Sequence, residues 1–199
     1  ASTIGRHVDA IIASGYFSET VEPTKEAGRP PTRLRPVPGR GCFIGVDFHA
    51  SHLFATAVDF AQHRLVEKAF PLDAGKGVEV VLASVTRAIK EMQEAAQIPV
   101  LAVGVATPGR VDTLRGMGLL WSHCPGWKDV PVAAHVKGLV QARTFVENNI
   151  RTMALAERWF GEPRGCQHLI CLGVRVGVSA GVIREGRLAT GFWVLGGVV

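Results

Sequence analysis

The sequence predicts a mixed α/β domain, a sheet with helices on its faces, preceded by a small helical and extended segment. Three observations carry this. Residues 42–71 hold three strand-like runs, CFIGVDF, HLFATAVDF and RLVEKAFPL, divided by short polar breaks as in an antiparallel meander. Residues 78–96 place Val78, Val81, Leu82, Val85, Ile89 and Met92 on one helical face. VLAVGVA at 100–106 is a continuous apolar run, the pattern of a strand covered on both sides.

Taken in order, STIGRHVDAIIAS (2–14) predicts a short amphipathic helix with the Ser2 hydroxyl as its N-cap. Ile4, Val8, Ile11 and Ile12 form its apolar stripe, and Gly15 ends it. Thr3, Arg6 and His7 fall off the stripe, toward solvent or a partner. YFSETVEPTKEAGRPPTRLRPV then gives two extended pieces around a polar turn, and Pro36-Val37-Pro38-Gly39 marks a linker with a boundary near residue 40. Beyond the meander, helix and apolar run, ARTFVE (142–147) predicts a strand and NNIRTMALAERWFG (148–161) a helix. HLICLGV, VSAGVIR and, after a turn at Glu185-Gly186, RLA supply the last strands.

With 199 residues, 47% of them hydrophobic and 20% charged, the chain can bury a good-sized core. Its net charge of +5 permits an anionic partner without requiring one. From Ala27 to Gly41 there are four arginines (Arg29, Arg33, Arg35, Arg40) and no acid, which suits a solvated linker or a phosphate-facing arm. Cys42, Cys124, Cys166 and Cys171 fit neither a zinc pattern nor a secreted scaffold; reduced, mostly buried thiols are expected. No signal-peptide pattern or membrane-length apolar run appears, so a cytoplasmic protein with no membrane partner is expected. The residues call for no metal and no cofactor. Both ends read as cut, as in a fragment of a longer protein.

Three stretches could carry chemistry. Gly45–His52 is a strand–turn–strand with an acid, Asp47, near the bend. A nucleotide-binding hairpin needs bare glycine backbone there, but His49 and Ala50 stand beside Ser51, so a plain capped hairpin competes with a phosphate site. Gly104–Asp112 runs a buried strand into a Pro-Gly turn, where open α/β sheets place ligands. It leads to Trp121-Ser122-His123-Cys124-Pro125-Gly126-Trp127, a loop suited either to packing or to walling a small ligand; a His123–Cys124 metal pair lacks further ligands nearby. Last, Glu147-Asn148-Asn149 opens a helix with an amide in the third place, where a carboxylate could take a proton from a substrate hydroxyl.

These pieces, in this order, resemble the ROK family of repressors, open reading frames and sugar kinases on the actin-like ATPase fold. Against the family's GxDxGGTK-like hairpin, GxPGxVD turn, N-x-PGW loop, END helix start and Gly-rich hairpin stand GVDFHASH (45–52), ATPGRVD (106–112), HCPGW (123–127), ENN (147–149) and VRVGVSAG (174–181). The resemblance implies an actin-like ATPase (ribonuclease H-like) first lobe with a mixed sheet over residues 41–199, truncated before the second lobe. It also implies a partial winged helix-turn-helix over 1–40, the recognition helix and wing plus a linker. Family kinases use the END acid as base and glycines to hold ATP phosphate. Here Asn149 replaces the base, His49 and Ala50 replace the first glycines, and Arg175 and Ser179 sit among the second set. No catalytic residue is assigned.

The resemblance therefore implies a transcriptional regulator, a repressor with a degenerate kinase site. Operator DNA would be read by Ser2, Thr3, Arg6 and His7 from the helix, and by Arg29 and Arg33 from the wing. A sugar or sugar-phosphate effector would meet His123, Glu147, Asn148 and Asn149. A homo-oligomer follows from the family. One alternative is a sugar kinase using a displaced acid, Asp47 or Asp112; another is a sugar-binding or partner-docking protein without DNA regulation.

Overall fold

The computed structural model describes residues 3–22, 32–174 and 177–189. The N-terminal segment is helix α1 (Thr3–Ala13) followed by strands β1 (Phe17–Val21) and β2 (Thr32–Pro36), paired antiparallel as a hairpin. Ser14 and Gly15 close α1, with Gly15 at φ +75 as a C-terminal glycine should be. The proposed Ser2 cap lies outside the described residues. Ile4 of the predicted stripe is 75% exposed, and α1 buries none of its residues.

The main sheet contains β3 (Cys42–Phe48), β4 (His52–Asp59), β5 (Arg64–Pro71), β6 (Val100–Thr107) and β10 (Arg143–Asn148), in the order β10-β6-β3-β4-β5. β3, β4 and β5 form the antiparallel meander expected from their alternation. β6 and β10 join β3 in parallel, by way of crossovers. Helix α2 (Val78–Ala96) covers one face: Val81, Val85, Ile89 and Met92 are fully buried against Ile44, Val46, Phe48, Leu53 and Val103. The 25 buried residues of this cluster supply the burial that holds the domain together. The opposite face is less covered than the apolar run at 100–106 suggested. Gly104 is exposed there, as are Phe43, Phe54 and Phe145.

A second departure from the sequence reading lies between β6 and β10. Strands β7 (Arg110–Asp112), β8 (Met117–Leu120) and β9 (Lys128–Val130) form their own small sheet, followed by helix α3 (Val132–Lys137). Elements of three to six residues carry no readable period, so sequence pattern passes over them. The chain ends the described region with helix α4 (Asn149–Phe160) and an antiparallel sheet of β11 (Leu169–Val174), β12 (Val178–Arg184) and β13 (Arg187–Leu188). These last strands do not extend the main sheet. They pack on α4, where Gly181 lets the strand backbone approach closely: a Cβ there would lie 2.5 Å from the Ile150 carbonyl oxygen. No helix among the described residues is long and apolar enough to cross a membrane.

All four cysteines are free. Cys42 and Cys124 are buried, whereas Cys166 and Cys171 are only partly so. Burial pushes the Cys42 and Cys124 thiols up, which keeps them protonated and unreactive.

Candidate functional site

Three parallel strands end together. The register sets Asp47 of β3 beside Ala106 of β6, Ala106 beside Glu147 of β10, and Thr107 beside Asn148. Loops leaving the C-terminal ends of such strands form the crevice where α/β proteins hold ligands. Here they open onto a cavity of about 630 Å³, ample for a small ligand. Its walls come from the 49–51 turn, the Pro108–Arg110 turn, the Trp121–His123 loop, the first turn of α4, and Gly173 with Gly177–Ser179 across the way. All five stretches singled out in the sequence thus meet in one place, the HCPGW loop through His123.

The Pro108–Arg110 turn needs its glycine. Gly109 has φ +77, and a Cβ would lie 2.1 Å from the Leu120 carbonyl oxygen. Its own carbonyl accepts a 2.8 Å hydrogen bond from the Asn148 side-chain amide. The Asn148 side-chain oxygen meanwhile accepts from the Ile150 and Arg151 backbone amides, which makes Asn148 the N-cap of α4. One buried amide therefore fixes both the cavity lip and the start of the helix.

Glu147 is placed differently from its predicted role. It is not part of the cavity wall. Its carboxylate accepts from Asn148 N at 2.7 Å and from Arg151 Nε at 2.9 Å, and Arg151 passes a further bond to the Ala189 carbonyl at 2.8 Å. Arg151 is only 8% exposed, so this carboxylate compensates a buried cation. Glu147 lies near the end of a strand and Arg151 in the first turn of the following helix, so their spacing of four residues did not by itself announce the pairing.

Asn149 does face the cavity. Its side-chain oxygen accepts from Ile150 N at 2.9 Å, and its –NH₂ has no partner among the described residues. His123 sits exposed at the rim, its Nδ1 3.3 Å from the Ser122 hydroxyl. At the 49–51 turn, the rings of His49, His52 and Phe54 lie within 6.3 Å of one another. The His49 side chain lines the cavity where a glycine would leave bare backbone. The sequence reading assigned no role to Arg110, although it lies within a quoted motif; it too lines the cavity. Among the described lining residues the ionisable side chains are His49, Arg110 and His123, and none is a carboxylate.

The candidate groove-reading surface lies on the N-terminal segment. Thr3, Arg6 and His7 are exposed on α1. Arg33 on β2 is engaged by Glu22, with Nε 2.8 Å from the carboxylate, and Arg35 approaches the same group at 3.5 Å. Ser2 and Arg29, the other two expected DNA contacts, lie outside the described residues.

The ROK family model matches residues 43–197. The chain belongs to the ROK family. It is 28% identical over 193 residues to the xylose repressor of Caldicellulosiruptor bescii, covering 96% of this chain and 48% of that protein. It is 30% identical over 115 residues to the glucokinase of Thermotoga maritima, covering 58% of this chain and 36% of the enzyme. A solved ROK family transcriptional regulator, homologous to the E. coli MLC protein, superimposes with a TM-score of 0.76 at 23% identity, over 94% of this chain and 48% of that one. That likeness is one of fold. The chain spans about half the length of the curated repressors it matches.

Proposed function

We propose that this chain is the DNA-binding and sensing part of a ROK transcriptional regulator. In this reading α1 and the β1–β2 hairpin contact operator DNA, and a sugar-like effector occupies the cavity. The observation that carries it is Asn149, an amide lining a cavity whose described walls hold no carboxylate. An amide has no useful basicity near neutral pH, so it cannot take the sugar hydroxyl's proton. It can still donate to that hydroxyl, and its –NH₂ is available to do so. Recognition survives where transfer does not.

Two further facts support the regulator over the kinase. The repressor match runs through 96% of the chain, whereas the glucokinase match covers 58%. The displaced acids that an enzyme would need are elsewhere: neither Asp47 nor Asp112 lines the cavity, and the Asp112 carboxylate accepts from the Arg115 backbone. The effector class is a free or phosphorylated sugar; a phosphate would find Arg110, His49 and His123 as its cationic or hydrogen-bonding partners. Assembly as a homo-oligomer in the cytoplasm completes the proposal.

Arg6→Ala combined with Arg29→Ala in the full-length protein weakens specific operator binding by a few kcal/mol, at about 1–3 kcal/mol per base contact. An unchanged gel-shift affinity defeats the DNA assignment. The kinase reading, which the T. maritima relative keeps in view, is decided by phosphate transfer from ATP to a panel of hexoses.

A further inference from the structure

A cluster of rings joins the N-terminal segment to the main sheet. Phe60, in the turn between β4 and β5, lies 5.0 Å from Tyr16 and 5.6 Å from Phe17 by ring centroids, and 6.2 Å from Phe43 of β3. Tyr16 and Phe17 belong to the segment; Phe43 belongs to the sheet. Arg40 closes the cluster. Its guanidinium carbon stands 5.4 Å over the Tyr16 ring, and its Nη2 donates to the Ser14 carbonyl at 3.3 Å. Gly15 leaves room for it, since a Cβ there would come within 3.0 Å of the guanidinium.

The base under Phe60 is fixed. Its amide donates to the Gly41 carbonyl at 2.9 Å. Next to it the Asp59 carboxylate, 3% exposed, accepts from the Ala61 and His63 amides at 2.8 and 2.9 Å, which holds the turn. Burial would raise the Asp59 pKa, but those bonds and the His63 ring keep it below the usual carboxylate range. Sequence pattern left Arg40 either to solvent or to phosphate. The structure turns it back onto the end of α1 instead.

We propose that Phe60 and Arg40 are positioning residues: they fix the angle of α1 to the sensing domain and so the half-site spacing that the assembled regulator accepts. This rests on the regulator reading above. The physical reason is that, among the described residues, the ring cluster and Arg40 hold the C-terminal end of α1 to the sheet, so the angle between helix and domain runs through this joint. Two recognition helices must enter major grooves about one helical turn apart, or a multiple of it, so a joint that holds the angle also holds the spacing.

The test uses the full-length protein and an operator selected by the wild type from randomised duplexes. Base pairs are then added or removed between the half-sites. Wild type loses about tenfold in affinity per base pair of displacement, while Phe60→Ala and Arg40→Gln lose less than about threefold and keep wild-type affinity for an isolated half-site. Variants with the wild-type spacing profile overturn the proposal. So do variants weakened equally at every spacing and at the isolated half-site, the mark of mere structural damage. In parallel, spin-labelled unnatural residues at the exposed positions 9 and 94 report the angle without DNA: one narrow distance in wild type, a broadened distribution in both variants. If wild type selects no operator, the regulator reading fails by itself. The spin–spin distances then decide the joint, and unbroadened distributions in both variants overturn it.

Discussion

The N-terminal segment and the cavity differ most in where their stability comes from. Among the described residues α1, β1 and β2 contain no buried side chain, and the rings of Tyr16 and Phe17 against Phe60 are their principal purchase on the sheet. Around the cavity, Phe48, Trp121 and Trp127 pack edge-on or tilted within 5.9 Å behind the lining, and Asn148, Glu147 and Arg151 satisfy one another's polar groups. Under the proposed function the cavity must hold its donors still before the ligand arrives, because ordering them afterwards costs affinity. The helix, in the same reading, instead offers the exposed Thr3, Arg6 and His7 to DNA, so substitutions there act on affinity. Substitutions on the two regions should therefore separate cleanly, with stability moving on one side and DNA affinity on the other.

The largest effect is expected at the cavity lip. Gly109→Ala combines a positive φ with a collision against the Leu120 carbonyl and should cost about 3–5 kcal/mol in urea unfolding. A neutral outcome would mean the lip is far more yielding than its packing indicates. Next comes Glu147→Gln, which strands the buried Arg151 charge. Because the carboxylate retains 24% exposure, a loss of about 2–3 kcal/mol is expected by the same measurement, with DNA affinity altered only through the folded fraction. The smallest is Glu22→Gln, which frees Arg33 and Arg35. Full-length protein should then bind DNA tighter by up to about 1 kcal/mol, with a steeper salt dependence and no change in melting temperature. If Glu22→Gln instead lowers the melting temperature by several degrees, the contrast between the regions collapses.

How far the sequence could be read follows the same division. Helix α2 lies at residues 78–96 as its periodicity says, and the meander strands begin at Cys42 because alternation and turn breaks agree there. β7–β9 and α3 went unread because each is shorter than one readable period. Within the site, Asn149 lines the cavity and His123 stands at its rim, whereas Glu147 does not line it. A carboxylate at a helix start reads the same in sequence whether it meets a ligand or an arginine one turn on.

The order of the motifs, the amide at position 149 and the exposed face of α1 are properties of the chain alone, since local pattern and residue chemistry determine them. The tertiary structure decided that Glu147 serves Arg151, that Arg110 reaches the cavity and that Arg40 folds back onto Tyr16. Those outcomes depend on which strand ends and turns come to lie together in space, and long-range packing is the only source of that information.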